Sequence, residues 1–270
     1  MGVLAPLLAF MKVSALFASL PIFLIGTLVE RLAPAERSQP LGHVILNLGY
    51  AMAYTAILCL LNPLAAAIGT GIVNFCGGGL FRLPDGGWTV VGSAAIFLFA
   101  MDFMEYVFHR AQHAIPFLWA MHSLHHSEPS VNVTTTTRAF WLEPVIKAIF
   151  VYPVVGILFQ VPPMVYAIYG VAVLYHFVNH LNLRVHFGKF WMLLNGPQFH
   201  RIHHSARPEH FNCNFAAFFP IFDVIFGTAH RPRPGEFPVT GLDTRDPPRN
   251  LLTALIWPFL GRGSDPLAQR

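Results

Sequence analysis

The chain has 270 residues, 54% hydrophobic, 14% aromatic and only 11% charged, with mean hydropathy +0.53 and a formal net charge of +4. So apolar a composition excludes an ordinary soluble enzyme and points to a membrane protein. The basic residues are scattered and not gathered with stacking aromatics on one polar surface, so anionic lipid headgroups explain them and no nucleic-acid partner is expected.

Taken in order, the stretches 3–29, 41–61, 88–108, 140–160 and 163–181 are apolar enough to read as spans, since a crossing helix needs about 20 such residues. The first is too long for a signal-peptide core, which runs about 7–15 residues, and reads as an anchor. Residues 62–87 become an outer loop, with 64–76 open to a re-entrant reading. "FQVPP" at 159–163 becomes an outer hairpin, because paired prolines stop one helix and let another start. Lysine and arginine then set the orientation. Only Arg82 falls clearly outside, while Arg31, Arg37, Arg110, Arg138, Arg184 and Arg201 fall inside with the remaining cytoplasmic bases. Residues 250–260, "NLLTALIWPFL", are too short to span and read as an interfacial helix.

Three cysteines, Cys59, Cys76 and Cys213, show no CxxC spacing, so any metal is held by nitrogen or oxygen. Histidine supplies the nitrogen. "HxxHHS" occurs twice, at 122–127 and 200–205, and ten of the 14 histidines fall into four short clusters. "HRAQH" gives His109 and His113; "HSLHH" gives His122, His125 and His126; "HFVNH" gives His176 and His180; "HRIHH" gives His200, His203 and His204. Residues i, i+3 and i+4 share a helix face, so each cluster aims its imidazoles together. All four emerge on the same membrane face. Imidazole binds zinc, iron, copper and nickel, and ten of them exceed one ion's capacity, which makes two metals, each with about five nitrogens, the natural count. His43 reads as a helix or interface residue, and His186, His210 and His230 as surface or supporting residues.

Asp102, Glu105 and His109 continue one polar stripe along the third span. Carboxylates in such places commonly accept the outer N–H of a ligating histidine, and that is the role expected of Asp102 and Glu105; a salt bridge to Arg110 or Arg138 is the competing reading. An oxygen-activating pair needs open positions and oxidation-resistant ligands, and histidine suits iron there. A transporter would instead carry polar groups and helix breaks deep in several spans.

The four clusters, with "LWAMHSLHHS", "NVTTTTR", "GPQFHRIHHS" and "NFAAFFPIFDVIFGT", resemble the fatty acid hydroxylase and sterol desaturase superfamily of integral-membrane diiron enzymes, over roughly residues 95–231. The resemblance implies that the ten clustered histidines are the ligands of two iron ions, zinc being a substitute on purification. It implies O2 as co-substrate, a membrane lipid substrate and a separate ferredoxin-like or cytochrome-like electron donor. Hydroxylation of an acyl lipid, sterol or carotenoid is the first expectation and desaturation the alternative. One departure stands out. Family members commonly read Arg-x-His-Pro-x-Glu after the threonine run, whereas "RAFWLE" keeps Arg138 and Glu143 but has Phe140 and Trp141 between them.

The fold class expected is all-α: a polytopic membrane helical bundle of about four or five spans, with a cytoplasmic histidine-rich helical cap holding a dimetal site. Residues 1–94 would be N-terminal membrane helices, 95–231 the catalytic domain and 232–270 a proline-rich tail. A bacterial inner membrane, with the site on the cytoplasmic side, is the expected location.

Overall fold

The computed structural model describes residues 20–242 and 245–260, so most of the expected first span, 3–29, lies outside the described residues. The fold is mostly helical. Helix α1, Leu20–Glu30, is short and apolar. Helix α2, Leu41–Phe75, and helix α3, Thr89–Ala114, follow. These two are long and apolar enough to cross a membrane.

Helix α2 corrects the expected boundary at residue 61. Its 35 residues run through Pro63 and take in half of the presumed outer loop, including 64–75. An interior proline removes one backbone hydrogen bond, but an apolar helix packed against neighbours tolerates that loss. The packing is visible at Gly69, where a Cβ would collide with the Ala148 carbonyl oxygen. A side chain there would push the two helices apart.

Ala148 belongs to the expected fourth span, which is not one regular helix. It consists of α5, Glu143–Ile146, a π-helical turn, Lys147–Val151, and α6, Tyr152–Leu158. At Phe159–Gln160 the chain turns extended and pairs in parallel with Phe81–Arg82. The fifth expected span becomes α7, Pro163–Ala172, and α8, His176–Asn179, joined by a 3-10 turn.

The remaining helices are short. Helix α4, Pro116–His126, is set off from α3 by an extended Ile115 and by Pro116 at its first turn, where a missing N–H does no harm. Helix α9, Pro197–His203, starts the same way. Helix α10, Ile221–Ile225, and α11, Leu251–Leu255, complete the described chain. The tail corrects its interfacial reading in part. Leu252 is exposed, but Ala254 and Trp257 are buried with Tyr50, Met121, Leu124 and Phe140. Trp257 also donates its indole N–H to Ser123 at 2.9 Å, so the tail braces α4 from behind.

Candidate metal centre

The helix ends deliver the histidines. His109 and His113 lie in the last turns of α3, and His122, His125 and His126 at the end of α4. His180 directly follows α8, and His200, His203 and His204 lie on α9 and its C-terminal cap. They sort into two groups. His109, His113, His122, His126 and His203 form one, and His125, His180, His200 and His204 the other, with donor atoms inside each group within 4.8 Å of one another. The HxxHH motif splits between the groups because adjacent residues on a helix point about 100° apart. The groups share a wall, with the His126 and His204 rings stacked at 4.5 Å.

Spacing within each group tests whether a metal fits. His109 and His122 bring their Nε2 atoms to 3.0 Å, His113 and His126 to 3.2 Å, and His125 and His180 to 3.1 Å. His200 Nε2 lies 2.9 Å from that of His180 and 3.2 Å from that of His204. For metal–nitrogen bonds of about 2.1 Å, neighbouring ligands at right angles sit about 3.0 Å apart and opposite ones about 4.2 Å. The short contacts in both groups match neighbouring positions of an octahedral set.

The outer nitrogens strengthen the case. His109 Nδ1 lies 2.7 Å from the Phe215 carbonyl, His203 Nδ1 2.8 Å from that of Cys213 and His180 Nδ1 2.9 Å from that of His176. A carbonyl only accepts, so each of these Nδ1 atoms carries the proton and leaves Nε2 bare. His122 Nδ1 likewise faces the Glu143 carboxylate at 3.3 Å. The 3.0 Å contact between His109 and His122 is therefore lone pair against lone pair, which a cation between them resolves. His203 Nε2 is buried without a hydrogen-bond partner. Burial, reinforced by neighbouring imidazoles, lowers the pKa values of His126, His200 and His204 well below the usual histidine range. Burial takes His203 down to about 3.

His176 joins neither group. Its ring packs on Phe218 at 5.0 Å, and its Nε2 is buried without a partner. Asp102 and Glu105 do not touch a histidine. Asp102 accepts the backbone N–H groups of Phe218 and Phe219 at 2.9 and 2.8 Å, whereas Glu105 pairs with Lys147 at 3.0 Å and accepts from Tyr152. The polar stripe on α3 is real, but its two carboxylates turn to other partners. Neither arginine weighed as a partner for Glu105 is the one it takes.

The supporting carboxylate is Glu143. It is buried and accepts from Gln112, from His122 and from the Phe140 N–H. Arg138 is also buried, bonding Glu128, Asn47 and Ser127, and Glu128 further accepts from His43 at 2.9 Å. For Glu128 burial raises the pKa, but the His43 bond and the Arg138 charge outweigh it and the net shift is downward. The serine after the first HxxHH thus belongs to a charge network beneath α4. The sequence signals for Glu143 and for this network are the retained Glu143 and Arg138 of the threonine-run motif.

Behind the centre lies the 212–219 loop, whose Cys213 and Phe215 carbonyls orient His203 and His109. Asn212 and Asn214 adopt φ of 58° and 60°, a left-handed conformation asparagine tolerates. Asp223 accepts the Phe215 and Ala216 N–H groups, both at 2.8 Å, and Asp102 clamps the next two residues but one. Asp102 therefore holds the loop that carries these carbonyls and bonds none of the histidines itself.

The fatty acid hydroxylase family model matches residues 94–228, half of the chain and the whole of the stretch that carries the ten histidines. The chain belongs to this family. It is 36% identical over 151 residues to alkylglycerol monooxygenase of Homo sapiens, covering 55% of this chain and 32% of that protein. Alkylglycerol monooxygenase of Xenopus tropicalis is 32% identical over 149 residues, covering 55% and 33%. Ornithine lipid hydroxylase OlsE of Rhizobium tropici is 27% identical over 179 residues, covering 65% and 53%. The chain thus spans about a third of the length of the alkylglycerol monooxygenases it matches. No solved structure gives a significant match.

Proposed function

We propose that the chain is a membrane-bound lipid hydroxylase whose two histidine groups each hold an iron ion. The observation that carries this reading is the convergence of bare Nε2 atoms at octahedral spacing, in two adjacent groups, within a membrane protein of the fatty acid hydroxylase family. Bound iron would supply the oxidation of an unreactive C–H bond with O2 and external electrons.

The protein's own residues do the rest. His109, His113, His122, His126 and His203 would hold one ion, and His125, His180, His200 and His204 the other, with His176, one turn before His180, outside both groups. The Phe215, Cys213 and His176 carbonyls and the Glu143 carboxylate keep the protons on Nδ1 and the Nε2 lone pairs free. A group of four leaves more open positions than a group of five, which suits reaction chemistry on the His125 side. The buried aromatic lining, with Phe215, Trp119 and Phe218 against the imidazoles, excludes water from the reacting carbon.

The substrate is a membrane lipid, in keeping with the relatives being alkylglycerol monooxygenases and an ornithine lipid hydroxylase and with the aromatic rings packed against the imidazoles. We place α2 and α3 across the bilayer, with α1 and the short helices 143–158 and 163–179 inserted beside them. The His-bearing ends face the cytoplasm of a bacterial inner membrane, where a separate ferredoxin-like or cytochrome-like protein delivers electrons. The test is untargeted mass spectrometry of lipids from cells carrying the intact chain or His125→Ala, supplied with an electron donor. One lipid class gaining a single oxygen only with the intact chain supports the proposal. A class losing two hydrogens would replace hydroxylation with desaturation, and identical lipids despite full iron content in the intact chain would contradict both.

A further inference from the structure

A third set of donor atoms lies apart from the two groups. His210, in a 3-10 turn after α9, His230, after α10, and Glu236, in the first turn of the tail, bring their donor atoms within 4.8 Å of one another. His210 Nε2 is 3.4 Å from Glu236 Oε1, and His230 Nε2 is 3.3 Å from the same oxygen. The two rings meet nearly edge to face at 4.6 Å.

These separations are informative. They are long for an N–H···O hydrogen bond, usually about 2.7–3.2 Å, and His230 Nε2 stands almost equally far from both Glu236 oxygens, at 3.3 and 3.4 Å. They equal the edge of a tetrahedron whose metal–ligand bonds are about 2.0–2.1 Å, which comes to about 3.3–3.4 Å. The two histidine groups, by contrast, show the shorter contacts of an octahedral set, from 2.9 to 3.2 Å. The three residues are also held by bonds to their surroundings. His210 Nδ1 bonds the Ser205 hydroxyl at 2.9 Å, Glu236 Oε2 accepts the Arg233 backbone N–H at 2.9 Å, and the backbone N–H of His230 donates to Asn214 Oδ1 at 2.8 Å, which fixes its main chain. Gln198 on α9 donates to the Arg233 and Glu236 carbonyls, fixing the turn itself. Such a supporting layer is what a metal site requires and what a casual ion pair lacks.

We propose that His210, His230 and Glu236 form a third cation site, for a zinc-like divalent ion in tetrahedral geometry, distinct from the paired centre. Two imidazoles and one carboxylate select a borderline transition metal over calcium or magnesium, which prefer all-oxygen sets. His210 is buried while His230 and Glu236 are partly open, 23% and 14% exposed, so water completes the set from the solvent side. The ion ties three segments together: the 205–213 loop after α9, the 228–230 stretch and the tail. Cys213, at the end of the first, holds His203, so the site braces the paired centre from outside. The serine after the second HxxHH thus finds its role in orienting His210.

The test uses the full-length, iron-loaded protein in detergent, equilibrated with micromolar zinc and compared with His230→Ala and Glu236→Gln. Metal analysis should find one zinc per chain beyond the iron in the intact protein, absent from both variants, whose iron content is unchanged. Cobalt substituted for that zinc should show the intense visible absorption of a tetrahedral ion. Zinc retained equally by both variants, zinc taken up only at millimolar concentration, or zinc that displaces iron would each overturn the proposal. The cobalt spectrum needs only the intact protein, so misfolding of a variant does not shield the proposal; a weak octahedral spectrum contradicts it.

Discussion

Glu143→Gln tests the supporting layer most sharply. The Glu143 carboxylate takes three donors, from Gln112, His122 and the Phe140 backbone. A glutamine offers one acceptor oxygen and two N–H donors in the same space, so at least one of the three loses its acceptor. A hydrogen bond to a charged group contributes about 1.5–3 kcal/mol. Expressed through His122, whose Nδ1 faces this carboxylate, that loss corresponds to the ten- to hundredfold drop in metal affinity typical of supporting residues, about 1.4–2.7 kcal/mol. The assay is competition for the metal of the five-histidine group with chelators of graded affinity, with Glu105→Gln as control. Glu105 bonds Lys147 and Tyr152 and no histidine, so its variant should keep the parental affinity. Equal losses in the two variants, or none in Glu143→Gln, would refute the reasoning.

Other perturbations have equally definite outcomes. His125→Ala leaves three imidazoles in its group; metal content should fall by about half and turnover vanish, while the amount of membrane-inserted protein measured by fractionation stays level. Arg138→Met strands the buried Glu128 charge and should lower stability by about 3–5 kcal/mol, with Glu128→Gln in the same chain restoring a part, both read by thermal unfolding. Gly69→Ala forces a Cβ onto the Ala148 carbonyl and should cost about 1–3 kcal/mol without altering metal stoichiometry. In the metal-free protein burial holds His126, His200, His203 and His204 neutral, so below pH 6.5 the unfolded chain binds more protons at these positions than the folded one. Stability should be full above about pH 6.5 and decline steadily as pH falls toward the His203 value of about 3, as a pH series of unfolding midpoints would record.

Much of the centre was legible because helical spacing and ligand chemistry act locally. Residues i, i+3 and i+4 share a face whatever surrounds them, so the clusters announced their convergence, and nine of the ten histidines meet in two groups. Which imidazole goes to which group was not legible, since it depends on how α4 crosses the ends of α3 and α9. Partner choice was hidden for the same reason. Asp102 and Glu105 looked poised behind His109, but the 218–219 backbone and Lys147 lie nearer. Glu143 stands 21 residues beyond His122, and only the fold brings them together. Helix limits failed where packing overrode local signals, as at Pro63, which sits inside α2. The π turn after Ile146 left no mark that composition could read. His210, His230 and Glu236 share no helical period, so nothing short of the folded loops could show them as a set.

The most direct test of the central claim is oxygen tracing. Cells carrying the intact chain or His125→Ala, each with an electron donor, are grown under 18O2 and their lipids weighed. One lipid class carrying a single 18O with the intact chain, and none with the variant, is the predicted result. The same product formed with unlabelled oxygen from water, or labelled equally by the variant, would contradict the account.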